Sequence, residues 1–237
     1  MKIESGNIYL IPNVLAENTL EKVFPAFNKE IISSLKYFIV EDLRNARRFL
    51  KKIDRDINID NIHFELIDKH AKIISAEELL NPVQEGKNCG ILSEAGSPCI
   101  ADPGSVIVSA AHKKNINIIP LIGPNSILLA LEASGFNGQS FAFHGYLPIN
   151  SKERNERIRE LEKLAIHTGQ TQIFMETPYR NNQLIDGILS VCHKETLLCI
   201  AANITSEKEF IKTKSVSKWQ SVKPDLHKIP SIFLLGK

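Results

Sequence analysis

The stretch Cys89-Gly90-Ile91-Leu92-Ser93-Glu94-Ala95-Gly96-Ser97-Pro98-Cys99-Ile100-Ala101-Asp102-Pro103-Gly104 decides how the rest of the chain is read. Residues 89–92 are uncharged and apolar or small, as in a strand covered on both faces. Small and polar residues then take over. Gly96 and Gly104 tolerate positive φ, while Pro98 and Pro103 fix φ and stiffen the path. A helix is expected from about Val106. A strand, a tight loop and a helix in that order expose backbone N–H groups at the carboxyl end of a sheet, where open α/β folds bind ligands. Two readings stand side by side here: a ligand loop, or a structural turn in which Asp102 caps the following helix.

Upstream of this stretch, short apolar runs alternate with helical spacing. Strands are expected at 7–11, 37–40, 62–66, 89–92 and 116–119, and helices at 18–26, 43–53, 76–85 and 106–114. That alternation predicts a largely parallel sheet. Runs such as Tyr37-Phe38-Ile39-Val40 and Ile116-Asn117-Ile118-Ile119 suit burial on both faces.

Downstream, a second unit begins near 120. Asn125 can cap a helix over 126–133 whose apolar face holds Ile127, Leu128 and Leu131. Ser151 is expected to cap a charged helix over 152–164. Strands follow at 141–144, 171–175, 197–201, 210–214 and 231–235, with a helix at 181–191. The longer strand-to-strand connections predict a mixed sheet. The fold class is therefore α/β, with two α/β domains: residues 1–119 with a mostly parallel sheet, and 120–237 with a mixed one.

Bulk properties narrow the function. A hydrophobic share of 43% with 24% charged residues describes an ordinary globular protein, not a disordered one. The net charge of +2 is smaller than the basic excess a dedicated nucleic-acid module usually carries; it neither indicates nor excludes nucleic-acid binding, and any such partner must be met by local charge. Met1-Lys2-Ile3-Glu4 opens no apolar signal core, and no segment approaches the about 20 apolar residues of a membrane helix. Cys89, Cys99, Cys192 and Cys199 form no C-x-x-C pair, which suits a reducing cytoplasm and argues against a metal site.

Two further segments join the loop. Leu121-Ile122-Gly123-Pro124-Asn125-Ser126 is a Gly-Pro turn opening a helix: either a backbone clamp for a polar group or a capped linker. Phe174-Met175-Glu176-Thr177-Pro178-Tyr179-Arg180 ends a strand and starts a helix, placing Met175 and Glu176 at a strand's carboxyl end.

Taken in this order, the three segments resemble the tetrapyrrole methylase superfamily, the class III S-adenosylmethionine-dependent methyltransferases. The branch they resemble most is the small-subunit ribosomal-RNA 2′-O-ribose methyltransferases. That branch reads S-D-A-G-T-P-x-I-x-D-P-G where this chain has residues 93–104, with changes only at Glu94 and Ser97. Val40-Glu41-Asp42-Leu43-Arg44 resembles its A-E-D-T-R, and Gly123-Pro124-Asn125-Ser126 its P-G-P-S. Gly145-Tyr146-Leu147-Pro148 with Lys152 and Arg157 resembles its G-F-L-P-x-K segment, and Glu176-Thr177-Pro178-Tyr179-Arg180 its E-S-P-H-R. Two stretches depart from the pattern. The branch's T-P-I-G-N turn is Ile11-Pro12-Asn13-Val14 here, and its charged R-E-L-T-K is Ala202-Asn203-Ile204-Thr205-Ser206.

The resemblance implies S-adenosylmethionine in a cleft between the two domains, and a homodimer in the cytoplasm. Carried over by position, cofactor contacts fall on Ser93, Glu94, Ala95, Gly96, Pro98, Ile100, Ser126, Met175 and Glu176. An RNA partner, the small ribosomal subunit, would be met by Arg44, Lys152, Arg157 and Arg180. Methyl transfer from a sulfonium needs positioning more than a catalytic triad, which suits a site made of Gly, Pro and Ser. If a ribose hydroxyl is the acceptor, Glu41, Asp42, Glu94 and Asp102 are the candidate bases. Glu41-Asp42 with Arg44 also reads as a structural ion pair. The mixed charges of 152–163 also read as a solvated helix face. Two other functional readings remain: carbon methylation of a tetrapyrrole, and a divergent S-adenosylmethionine-binding protein without turnover, suggested by the charges lost at 202–206. A nicotinamide dehydrogenase is disfavoured, since no G-x-G-x-x-G follows the first strand.

Overall fold

The computed structural model describes residues 4–67 and 73–237, so Met1–Ile3 of the opening segment lie outside the described residues. The chain divides into two units, Met1–Pro124 and Asn125–Lys237.

Among the described residues the first unit is built on five strands: β1 (Ile8–Ile11), β2 (Tyr37–Val40), β3 (His63–Leu66), β4 (Cys89–Leu92) and β5 (Ile118–Pro120). Their order in the sheet is β3-β2-β4-β1-β5, and every pairing is parallel. The apolar runs follow from this arrangement. Successive strand side chains alternate faces, so Tyr37 and Ile39 enter one core cluster with Ile8 and Ile91. Phe38 and Val40 enter the other with Ile11 and Leu92. Gly90 is where these strands crowd: a Cβ there would lie 2.6 Å from Ile11 Cδ1 and 2.9 Å from the Phe38 ring.

Among the described residues six helices connect or cover the strands: α1 (Leu20–Val23), α2 (Ala26–Ser34), α3 (Leu43–Ile53), α4 (Ile73–Glu78), α5 (Asn81–Gln84) and α6 (Ser105–Lys113). The helix expected over 18–26 is instead the single-turn α1 followed by the separate α2. Pro25 sits between them with extended backbone (ψ 139°). The helix expected over 76–85 is likewise two pieces, because Pro82 falls in the first turn of α5 and cannot continue α4. The strand expected at 116–119 is shifted to β5. It is a sheet edge and only partly buried, not covered on both faces.

The second unit carries β6 (Phe141–Tyr146), β7 (Thr171–Met175), β8 (Leu197–Ala202), β9 (Phe210–Ser215) and β10 (Ser231–Gly236) in the order β6-β7-β10-β8-β9. Only β6 and β7 run parallel; the other pairings are antiparallel, which makes the sheet mixed. Its core gathers Phe174, Phe233 and Trp219, with Trp219 donating its indole N–H to Leu198 O at 2.9 Å.

The helices here are α7 (Ser126–Ser134), α8 (Ser151–Thr168), α9 (Asn181–Val191) and α10 (Val216–Ser221). Asn125 caps α7, its side-chain oxygen accepting from Ile127 N–H and Leu128 N–H. The buried face of α7 is Ile127, Ala130, Leu131 and Ser134, whereas Leu128 is exposed. On α8 the cap is Asn150 and not Ser151, and the helix runs on to Thr168 before Gly169 (φ 69°) ends it. Nor is α8 a uniformly solvated face. Arg154 and Glu162 are buried, and Glu162 accepts from His193 N–H at 2.7 Å and the Thr196 hydroxyl at 2.5 Å. Among the described residues no helix is long and apolar enough to cross a membrane.

Candidate active site

In the first unit the connections from β1 and β4 leave in opposite directions, β1 towards β2 and β4 towards β5. Because β1 and β4 are neighbours, the loops after them meet at a topological switch point, where open α/β sheets form a crevice. The two loops are stitched together. Asn13 N–H donates to Gly96 O at 2.9 Å, and Gly96 N–H donates to Asn13 O at 3.0 Å. The Asn13 side-chain amide donates to Ser93 O at 3.2 Å and Glu94 O at 3.1 Å, while its oxygen accepts from Val14 N–H at 2.8 Å. Within the loop, the buried Ser93 hydroxyl donates to Gly96 O at 2.6 Å.

Gly96 is buried at φ 70°, and a Cβ there would lie 3.3 Å from Leu15 Cδ2. Backbone conformation and space both favour glycine. Beyond it the loop stays unusual, with Cys99 (φ 68°) and Ala101 (φ 62°) both left-handed without being glycine. Gly104 (φ 126°) is the N-cap residue of α6 and has no side chain to cap it with. Asp102 and partial burial together push the Cys99 thiol up to about 11, burial being the larger cause. Pro98 is buried, whereas Glu94, Ala95 and Ile100 are exposed on the loop's outer side.

The end of β2 meets the same loop. Glu41, Asp42, Asn45, Ser93 and Glu94 line a small recess together with Asn13. Here Asn45 bridges the two segments, its amide donating to Glu94 Oε1 at 3.1 Å while its N–H donates to Asp42 Oδ1 at 2.7 Å. Asp42 is thus the N-cap of α3. Arg44 stands exposed on α3.

In the second unit, Ser126 is half-buried at the start of α7, and Met175 is half-buried at the carboxyl end of β7. Glu176 is buried there, with its side chain 1% exposed. Its Oε1 accepts from Arg180 Nη2 and from Thr177 N–H, each at 2.6 Å, while Oε2 is buried without a partner. A buried carboxylate oxygen left open in this way is an acceptor awaiting a donor. Arg157 is engaged by Glu160 at 2.9 Å and by His144 Nδ1 at 3.3 Å; Lys152 is exposed. The uncharged 202–206 stretch is a tight turn. Asn203 (φ 51°) and Thr205 (φ 71°) are left-handed, and Thr205 N–H donates to Glu209 at 2.7 Å.

The residue that sequence reasoning missed is Asn13. The only signal for it was its place just after β1, where the resembling branch has a glycine turn. Among the described residues no group of three or more His, Cys, Asp or Glu is arranged to hold a metal ion. The first unit offers a shaped backbone loop and the second a buried carboxylate acceptor, each of which suits a polar group.

A family model described as Tetrapyrrole (Corrin/Porphyrin) Methylases matches residues 28–219. The ribosomal RNA small subunit methyltransferase I of Vibrio cholerae is 31% identical over 183 residues, which span 77% of this chain and 60% of that protein. The protein of the same name in Halalkalibacterium halodurans is 29% identical over 210 residues, 88% of this chain and 68% of its own. This chain therefore spans about two thirds of the length of such relatives, and less for the first of them. Among solved structures, the methyltransferase CobJ superposes with a TM-score of 0.64 at 16% identity, covering 98% of this chain and 95% of that one. That likeness concerns the fold alone.

Proposed function

This chain belongs to the tetrapyrrole (corrin/porphyrin) methylases, and we propose that it is an S-adenosylmethionine-dependent methyltransferase acting on a ribose 2′-hydroxyl of small-subunit ribosomal RNA. The observation that carries the reading is the loop 93–104. It matches the ribosomal branch at eight of the ten positions that the branch pattern specifies, and the Asn13–Gly96 bridge fixes it at the switch point of the sheet. The relatives named as small-subunit ribosomal RNA methyltransferases support the choice of acceptor.

The residues suit the donor. In the first unit Ser93, Glu94, Ala95 and Gly96 present backbone groups along a path held from below by Asn13, with Pro98 and Ile100 beside it. In the second unit Ser126 and Met175 add a polar and an apolar contact, and Glu176 Oε2 offers an unoccupied acceptor. When bound, S-adenosylmethionine supplies a methyl group already activated by the sulfonium charge. The chain's own task is to hold the two reactants in register and keep water away. Arg180 and Thr177 N–H hold Glu176 in place from one side, so its free oxygen keeps a fixed direction. Of the candidate bases, Asp42 is committed to capping α3 and Glu94 accepts from the Asn45 amide. Glu41, in the recess with Ser93, is our assignment for accepting the hydroxyl proton. Arg44, Lys152, Arg157 and Arg180 are the assigned phosphate contacts.

Two measurements test this. Titration calorimetry with S-adenosylmethionine should show saturable binding to the folded protein; its absence would remove every methyltransferase reading. Labelled methyl transfer to small ribosomal subunits from a strain lacking this mark should place label on a ribose oxygen. Label on a tetrapyrrole instead would reassign the acceptor, and label on neither would leave a binding protein without turnover.

A further inference from the structure

Tyr179 sits in the 3-10 turn Pro178–Arg180, three residues beyond Glu176, and its side chain is an anomaly. A tyrosine is normally buried in part, yet this one is 67% exposed. One cation and one imidazole ring attend it. Lys228 Nζ lies 5.8 Å from the ring centroid, and the His227 ring meets it edge-on at 6.0 Å. Among the described residues Lys228 forms no ion pair, so its charge stays available on the aromatic surface.

The grouping is built, not incidental. The segment carrying His227 and Lys228 is fastened to the 3-10 turn and the start of α9 by four hydrogen bonds. Lys228 N–H donates to Pro178 O at 3.0 Å, and Leu226 N–H to Asn182 Oδ1 at 2.8 Å. Asn182 in turn donates to Asp225 Oδ1 at 2.7 Å, and the buried Asn181 amide donates to Ile229 O at 2.6 Å. Lys228 even holds a left-handed backbone, φ 62°, at that fastening. The result is a pre-ordered flat aromatic surface with positive charge beside it, at the same strand end as Met175 and Glu176.

An exposed ring with a cation beside it is what proteins use to stack an unpaired base, while the cation meets the adjoining phosphate. Apolar protein partners would gain nothing from an unneutralised lysine on the ring. We infer that Tyr179, with Lys228 and His227, is a stacking platform for an unpaired base beside the acceptor nucleotide. This rests on the RNA reading above. The platform orders the acceptor strand by contact with bases and phosphates, and takes no part in the methyl donor's site.

The test measures steady-state methylation of small ribosomal subunits that lack the mark, with S-adenosylmethionine affinity measured in parallel. Tyr179→Ala should raise KM for the subunits by about tenfold, with an unchanged Kd for S-adenosylmethionine. Tyr179→Phe, which keeps the ring, should stay within about twofold of the parent. Lys228→Gln should raise KM by a smaller factor and flatten its dependence on salt. If the parent methylates the subunits and both Tyr179→Ala and Lys228→Gln keep its KM, the platform is refuted and the RNA reading stands. If the parent transfers no methyl to the subunits at all, the RNA reading falls and the platform with it.

Discussion

The side chain of Asn13 reaches across two segments 80 residues apart in sequence, donating to the carbonyls of Ser93 and Glu94. Asn13→Ala keeps the backbone bridge to Gly96 but leaves those carbonyls and Val14 N–H short of a partner. Losing such hydrogen bonds costs about 1–3 kcal/mol. We expect a lowered Tm and an S-adenosylmethionine affinity weaker by roughly tenfold, read by thermal unfolding and calorimetry. A variant with unchanged affinity would separate Asn13 from the loop's function. Cys99 gives a second prediction at this scale. Its thiol is pushed up to about 11, so the folded protein holds the proton where an unfolded thiol would release it. Since the thiolate is the reactive form, iodoacetamide should label Cys99 slowly at mildly alkaline pH in the folded protein and much faster after unfolding. By linkage this group stabilises the fold fully below the ordinary thiol pKa, and that contribution is lost as pH rises towards 11.

At the level of elements, Gly90 shows why β4 must enter its loop from a crowded strand. Gly90→Val would drive a branched side chain into Ile11 and the fully buried Phe38, and overpacking of this kind costs about 1–3 kcal/mol. Denaturant unfolding should show a lower midpoint, whereas a midpoint equal to the parent's would mean the strands can part without cost. The same elements show what the sequence made legible. β2, α3, β4, β7 and α9 have the boundaries their patterns predict; Asp42 caps α3, and short apolar runs mark β2 and β4. α2 was invisible because only Asn28 and Ile32 are buried along it. α10 was missed because six residues are too few to show a helical period. The split of α4 from α5 was written in Pro82, and the amphipathic spacing around it masked the break. In the candidate site, the loop residues were legible from a local motif. Asn13 was not, because its partners lie in a distant segment and nothing in its neighbours marks it.

On the scale of the whole chain, each unit has its own sheet and its own core. Phe174, Trp219 and Phe233 close the second one without help from residues before Asn125. A fragment spanning 125–237 is therefore expected to fold alone, with a single cooperative denaturant transition and native-like tryptophan emission from Trp219. A fragment that stays unfolded would show that the second core depends on the first unit. Net charge sets a further boundary at this scale. With +2 overall, long-range attraction to RNA would be weak, so under the proposed function its contacts would have to come from local groups such as Tyr179 with Lys228.

The mutual N–H to carbonyl pair between Asn13 and Gly96 extends the sheet's ladder by one step into what is formally a loop. Amide hydrogens in such a ladder exchange with solvent only when the ladder opens. In deuterated water the Gly96 amide should therefore persist alongside those of β1 and β4, while its exposed neighbours Glu94 and Ala95 exchange early. A ligand arriving at this segment would meet a surface already ordered, and binding would then leave the Gly96 exchange rate nearly unchanged.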